Sequence, residues 1–257
     1  MKVVILAGGL GTRISEESQT RPKPMVEIGE MPIIWHIMKF YSHYGYNDFI
    51  ICCGYKAYVI KEYFANYYLH NCDITFDFSN SNKMQIHTNI SEPWKVTLID
   101  TGLETMTGGR IKRVKDYLNG EPFMVTYGDG VGDVNIPELV KFHQSHGKLA
   151  TISTYNYGQR FGVIEVNKDN YVEEFREKNN SDGNIINIGF MVFQPEVLDY
   201  IDGDATVLEK EPLMNLAKDK QLMSYRHNGF WHCMDTLRDK KKLEAFWADG
   251  KAPWKVW

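Results

Sequence analysis

A chain of 257 residues, 43% hydrophobic and 24% charged, suits one large α/β domain with a substantial core. Its 29 basic and 33 acidic side chains leave a net charge of −4, which excludes a broad polyanion-binding surface and requires any phosphate to be held locally. No uncharged apolar run approaches the ~18 residues of a membrane span, and the apolar start is too short for a signal peptide.

In chain order, "VVILA" (3–7) is a continuous apolar run, as expected of a parallel strand covered on both faces. The glycine-rich "GGLGTR" follows. "PIIWHIMKFYSHYG" (32–45) predicts a helix, with proline at its start, glycine at its end and helical spacing of Ile34, Ile37, Met38 and Tyr41. "DFIICCG" predicts a strand and "YVIKEYFANYYL" a helix. Segment 70–95 holds two strand-like runs, "DITFDF" and "KMQIHT", and is long for a connection, which marks a functional insertion or an oligomer contact. "KVTLID", a helix from about Gly108 to Leu118, and "FMVTYGDG" continue the alternation.

After residue 147 the texture becomes strand-rich: "KLATISTYNY", "GVIEVN", "YVEEFREK" and "IINIGFMVFQ". Helical patterns return at "EPLMNLAKDK" and "TLRDKKKLEAFW". The whole predicts an α/β fold: a Rossmann-like, doubly wound, mixed but mostly parallel sheet with a strand-rich C-terminal extension. Cys52 and Cys53 point to opposite faces of their strand, and with Cys72 and Cys233 they form no zinc spacing. Free thiols in a cytoplasmic protein are the expectation.

The glycine loop matches neither familiar phosphate motif. Ile14 stands where a dinucleotide fingerprint needs its third glycine, and no Gly-Lys-Ser/Thr closes a P-loop. Taken alone it could be an ordinary glycine-rich turn. It carries Arg13 and Lys23, however, and Pro22 and Pro24 restrict the lysine's backbone. Backbone N–H groups with two cations nearby suit a triphosphate.

"LAGGLGTR…RPKPM" resembles the N-terminal motif of the sugar-1-phosphate nucleotidylyltransferases, and "YGDG", "EFREK" and "NIGF" extend the match. "EPLMNLA" and "GFWHCMDTLRD" are similar to its cytidylyltransferase branch, which makes CDP-glucose for the dideoxysugars of bacterial surface polysaccharides. The resemblance implies CTP and glucose 1-phosphate as substrates, Mg²⁺ as cofactor, and a homo-oligomer, the branch suggesting a hexamer. It implies no nucleic acid and no membrane partner. It also implies one domain over 1–257, with a nucleotide-binding half (1–147) and a sugar-phosphate-binding half (148–257).

Residue by residue, the resemblance assigns Leu6, Ala7, Gly8, Gly9, Leu10, Gly11, Thr12, Arg13, Lys23, Thr105, Gly108, Arg110 and Gly128 to the nucleotide. Arg13, Lys23 and Asp129 are the expected catalytic residues. Asp129 and Asp235 are the expected metal ligands, since few hard oxygen donors completed by phosphate and water suit Mg²⁺. Glu177, Lys178, Asn187 and Gly189 fall on the sugar-phosphate site, although Asn179 stands where the family usually has proline.

Blander readings remain open at this point. Asp129 could be a turn aspartate, Asp235 a helix N-cap, Glu177 and Lys178 a solvated pair, and Arg110 a surface residue of the basic run "RIKRVK". His143 and His146 are better explained by a polar helix face than by a shared metal. The rival functions are a relative using another nucleotide or phosphorylated substrate, and a non-catalytic nucleotide sensor.

Overall fold

Apolar side chains at every position from Val3 to Ala7 place the first strand where both faces are covered. The computed structural model describes residues 1–79, 82–88, 91–156, 163–176 and 185–257. Its main sheet contains β1 (Lys2–Ala7), β2 (Asp48–Cys53), β3 (Lys95–Asp100), β4 (Phe123–Tyr127), β5 (Ala150–Asn156), β6 (Ile185–Phe193) and β7 (Leu222–His227). The order across the sheet is β7-β5-β6-β4-β1-β2-β3. Only β6 runs against its neighbours β4 and β5; the other pairings are parallel. The fold is therefore the expected mixed, mostly parallel sheet.

Alternate residues of each strand feed two cores, one per face. Val3, Ile5 and Cys53 face the layer that includes Ile34, Ile37, Met38 and Tyr41 of α1 (Ile33–His43). Val4, Leu6 and Cys52 face the opposite layer with Ile111, Leu118, Leu213 and Leu216. Cys52 and Cys53 thus do point apart, and all four cysteines are free thiols. Burial raises the Cys53 thiol to about 12 and lifts Cys52 and Cys233 as well, so all three stay protonated and unreactive near neutral pH.

Two expected helices are interrupted. The first runs as α2 (Ala57–Ala65) and a separate turn at Tyr67–His70, parted at Asn66, whose side-chain amide (3.0 Å) and backbone N–H (3.1 Å) both donate to the Glu62 carbonyl. The second is α3 (Thr107–Arg113) followed by Lys115–Leu118, parted at Val114. The runs in 70–95 form an antiparallel hairpin, Ile74–Asp77 with Lys83–Ile86. It leaves Phe76 and Phe78 52% and 80% exposed.

The histidines of α4 (Ile136–His146) need correction. His143 is buried rather than on a polar face: its Nδ1 and the His146 Nε2 both lie 2.8 Å from Thr151 Oγ1. At the other end of the chain, α5 (Glu211–Lys218) precedes β7, and α6 (Leu237–Ala248) leads to Trp254. That indole is fully buried and donates to His36 Nδ1 on α1 at 3.4 Å.

Candidate active site

The carboxyl end of β1 opens into the glycine loop and one helical turn, Thr12–Ile14. Together with the ends of β4 and α3 it encloses a cavity of ≈ 360 Å³. Its wall includes Leu6, Ala7, Gly8, Gly9, Gly11, Thr12, Arg13, Lys23, Thr105, Arg110, Gly128 and Asp129, all expected from the sequence. Leu10 is not on this wall and stands 49% exposed at the loop tip. Gly108 also lies off it: a β-carbon there would meet the Thr206 carbonyl oxygen at 2.8 Å, so this glycine serves close packing of α3.

Lys23 sits in a turn bounded by Pro22 and Pro24 and is only 8% exposed. Its ammonium contacts Asp129 Oδ2 at 2.6 Å and also Asp235 Oδ1. Burial opposes the lysine's charge, but the two carboxylates outweigh it and hold the pKa above the ordinary lysine value. Arg13 Nη1 reaches Asp235 Oδ2 at 2.6 Å. The two aspartates, which the sequence separates widely, are joined by a short ribbon in which Trp231–Cys233 pairs antiparallel with Gly130–Gly132. The Met234 N–H donates to the Asp129 carbonyl at 2.8 Å and closes it. The blander reading of Asp235 fails, because Thr236 is the N-cap of α6 and forms a capping box with Asp239.

Nor is Arg110 a surface residue, being 5% exposed. Its Nη1 donates to Thr101 Oγ1 (2.7 Å) and to the carbonyls of Gly102 (2.8 Å) and Cys53 (3.3 Å). Its Nη2 donates to the carbonyls of Gly8 (3.1 Å) and Leu103 (3.2 Å). A β-carbon on Gly8 would fall 2.1 Å from Nη1, so glycine is required where the guanidinium passes beneath the loop. Arg110 thus anchors the glycine loop to the start of α3 while bordering the cavity.

On the β6 side, the Gly189 N–H donates to Asn187 Oδ1 at 2.9 Å. Gly189 has φ +80°, and a β-carbon would lie 2.2 Å from Cδ2 of the Tyr127 ring. Glu177 and Lys178 lie outside the described residues. Sequence reasoning missed four wall residues: Pro24, Met106, Thr107 and Tyr127. The hydroxyls of Thr107 and Tyr127 both donate to Glu209. Only the neighbourhood of these two residues to quoted motifs could have signalled them.

Among the described residues no cluster of three or more His, Cys, Asp or Glu side chains forms a metal site. Two carboxylates converging on one cation suit an ion whose remaining ligands come from phosphate and water.

Residues 2–249 match the nucleotidyl transferase family. Glucose-1-phosphate cytidylyltransferase of Salmonella typhimurium is 57% identical over 258 aligned residues, covering all of both chains. Mannose-1-phosphate guanyltransferase of Saccharomyces cerevisiae is 32% identical over 253 residues, covering 95% of this chain and 63% of the yeast one. Among solved structures, UDP-glucose pyrophosphorylase complexed with UDP-glucose superposes with a TM-score of 0.77 over 97% of this chain and 98% of the other, a likeness of fold alone at 17% identity. The chain belongs to the nucleotidyl transferase family.

Proposed function

We infer that this protein is a glucose-1-phosphate cytidylyltransferase, which transfers the cytidylyl group of CTP to glucose 1-phosphate and releases pyrophosphate. One observation carries the reading: the full-length 57% identity to the Salmonella typhimurium enzyme of that name. The charged corner of the cavity is consistent with it, since a non-catalytic sensor has no need of a lysine gripped by two aspartates.

In the reaction, a phosphate oxygen of glucose 1-phosphate bonds to the α-phosphorus of CTP in line. The bond to the β-phosphate oxygen breaks, and pyrophosphate leaves with the electron pair. Such chemistry asks the protein for positioning and charge neutralisation. The loop from Gly8 to Thr12 offers backbone N–H groups to the triphosphate, and Arg13 and Lys23 offset its charge. Asp129 and Asp235 would hold Mg²⁺, which supplies neutralisation of the phosphate oxygens when bound.

Thr105 and Arg110 read the base, and Gly128 contacts the nucleotide. Glu177, Lys178, Asn187 and Gly189 form the sugar-phosphate site: the lysine for the phosphate, the glutamate for sugar hydroxyls. The enzyme acts in the cytoplasm, where CTP is supplied, and serves dideoxysugar and surface polysaccharide synthesis. It works as a homo-oligomer, with the hexamer of its branch as the candidate assembly, and the exposed Phe76 and Phe78 of the hairpin support assembly.

The test is pyrophosphate release across a matrix of nucleotides and sugar phosphates. CTP with glucose 1-phosphate should be the fastest pair, and Lys178→Ala should weaken glucose 1-phosphate binding while sparing CTP. A faster pair elsewhere in the matrix would assign another substrate to the same chemistry.

A further inference from the structure

Two hydroxyls on the cavity wall share one carboxylate that does not itself line the wall. Thr107 Oγ1 donates to Glu209 Oε2 at 2.6 Å, and the Tyr127 hydroxyl donates to Glu209 Oε1. The Leu208 N–H donates back to Thr107 Oγ1 at 2.9 Å. The segment carrying Glu209 is strapped to α3: the Met106 N–H donates to the Asp204 carbonyl (2.8 Å) and the Gly109 N–H to the Thr206 carbonyl (3.2 Å). Arg113 also forks onto the Asp204 carboxylate at 2.8 and 2.6 Å. The segment that carries Glu209 is therefore held against the start of α3.

A hydroxyl has one proton to donate and two lone pairs to accept with. Thr107 has its proton on an ionised carboxylate, a bond roughly twice as strong as a neutral one. One of its lone pairs is taken by Leu208. What remains for the cavity is a single acceptor. Tyr127 has likewise committed its proton, and burial together with the Glu209 charge holds its phenol protonated far above the ordinary range. Tyr127 lies two residues from Asp129 and packs on Gly189, toward the metal and sugar side. Thr107 stands with Thr105 and Arg110 on the segment assigned to the base.

We propose that Glu209 sets the nucleotide preference by fixing Thr107 as an obligate acceptor, which pairs with the exocyclic amine of cytosine and opposes the carbonyl oxygen at the same ring position of uracil. Glu209 is a positioning residue here, acting through Thr107. The proposal rests on the reading that the cavity takes CTP.

The test compares kcat/KM for CTP and UTP with glucose 1-phosphate, and calorimetric binding of each nucleotide in Mg²⁺, across the native enzyme and three variants. Glu209→Gln replaces one acceptor oxygen by an amide that donates; with that amide toward Thr107, the Thr107 hydroxyl turns its proton to the cavity. The CTP-over-UTP ratio should fall about tenfold, the scale of one exchanged hydrogen bond. Thr107→Val should lose the ratio to a similar degree, and Thr107→Ser should keep it. A general structural role would instead lower both nucleotides together. A folded Thr107→Val enzyme with the native ratio overturns the proposal while leaving the cytidylyltransferase reading intact. If Glu209→Gln does not fold, the Thr107 pair alone decides. A native enzyme that releases no pyrophosphate from CTP overturns the function reading and this proposal with it.

Discussion

Lys23 Nζ lies 2.6 Å from Asp129 Oδ2, although 106 positions separate the two residues in the chain. The same ammonium also touches Asp235, so one cation neutralises both carboxylates. Lys23→Met should leave two facing anions and cost about 2 kcal/mol, less than a fully buried unpaired charge because Asp129 keeps 28% of its side chain exposed. A divalent ion should restore that loss. We expect a melting temperature below native in chelator and a larger rise with Mn²⁺ than the native protein shows. Absence of that extra rise would remove the metal assignment from these aspartates. For the same reason Asp129→Asn and Asp235→Asn should each abolish most turnover, and the double variant should be hardly worse than either.

Gly189 meets two demands, a positive φ and room for the Tyr127 ring. Gly189→Ala should cost about 1–2 kcal/mol from the backbone alone, and more from the displaced ring. Tyr127→Leu in the same chain should recover the second part and not the first. Urea unfolding of the two single variants and the double measures this; strictly additive losses would show that the ring does not press on this position.

Three histidines give the stability a pH dependence. Burial holds His36, His143 and His146 to about 4, against an ordinary value of 6.5. The unfolded chain therefore takes up protons first as the pH falls. The contribution of these rings is complete above about pH 6.5 and is lost progressively toward pH 4, at up to about 1.4 kcal/mol per pH unit for each ring. Denaturant unfolding at pH 7, 6 and 5 should show the decline, and His36→Gln should flatten it. An unchanged slope in that variant would exclude His36 from the effect.

The hairpin makes a prediction about assembly. Phe76 and Phe78 stack at 6.2 Å between ring centres while remaining largely exposed. Replacing both by serine should shift the sedimentation coefficient from an oligomer to a smaller species, with the melting of the individual subunit little altered. A native protein that sediments as a monomer at micromolar concentration would contradict the assembly.

Strands β1 and β2 and helix α1 were legible because their apolar periods are long and uninterrupted. Strand β7 was not, since "LMSYRH" is half polar and follows a helix without a turn signal. The ribbon of Trp231–Cys233 and Gly130–Gly132 escaped for a different reason. Three-residue strands have no readable period, yet this ribbon is what joins Asp129 to Asp235. The aspartates themselves were found through a motif resemblance, and nothing in their local sequence implied that they meet. Arg110 was legible as a cavity residue, but its anchoring of Gly8 depends on partners up to 102 positions away. Glu209 was invisible because "LEKEP" reads as the start of a helix, and its carboxylate acquires meaning only beside Thr107 and Tyr127.

The contact of Trp254 with His36 spans 218 positions. During synthesis on the ribosome, α1 emerges early with its apolar face ready but without the indole that later covers it. Closure of so long a loop is slow compared with local helix formation. The nascent N-terminal half should therefore remain open to chaperones and proteases until Trp254 has left the ribosome.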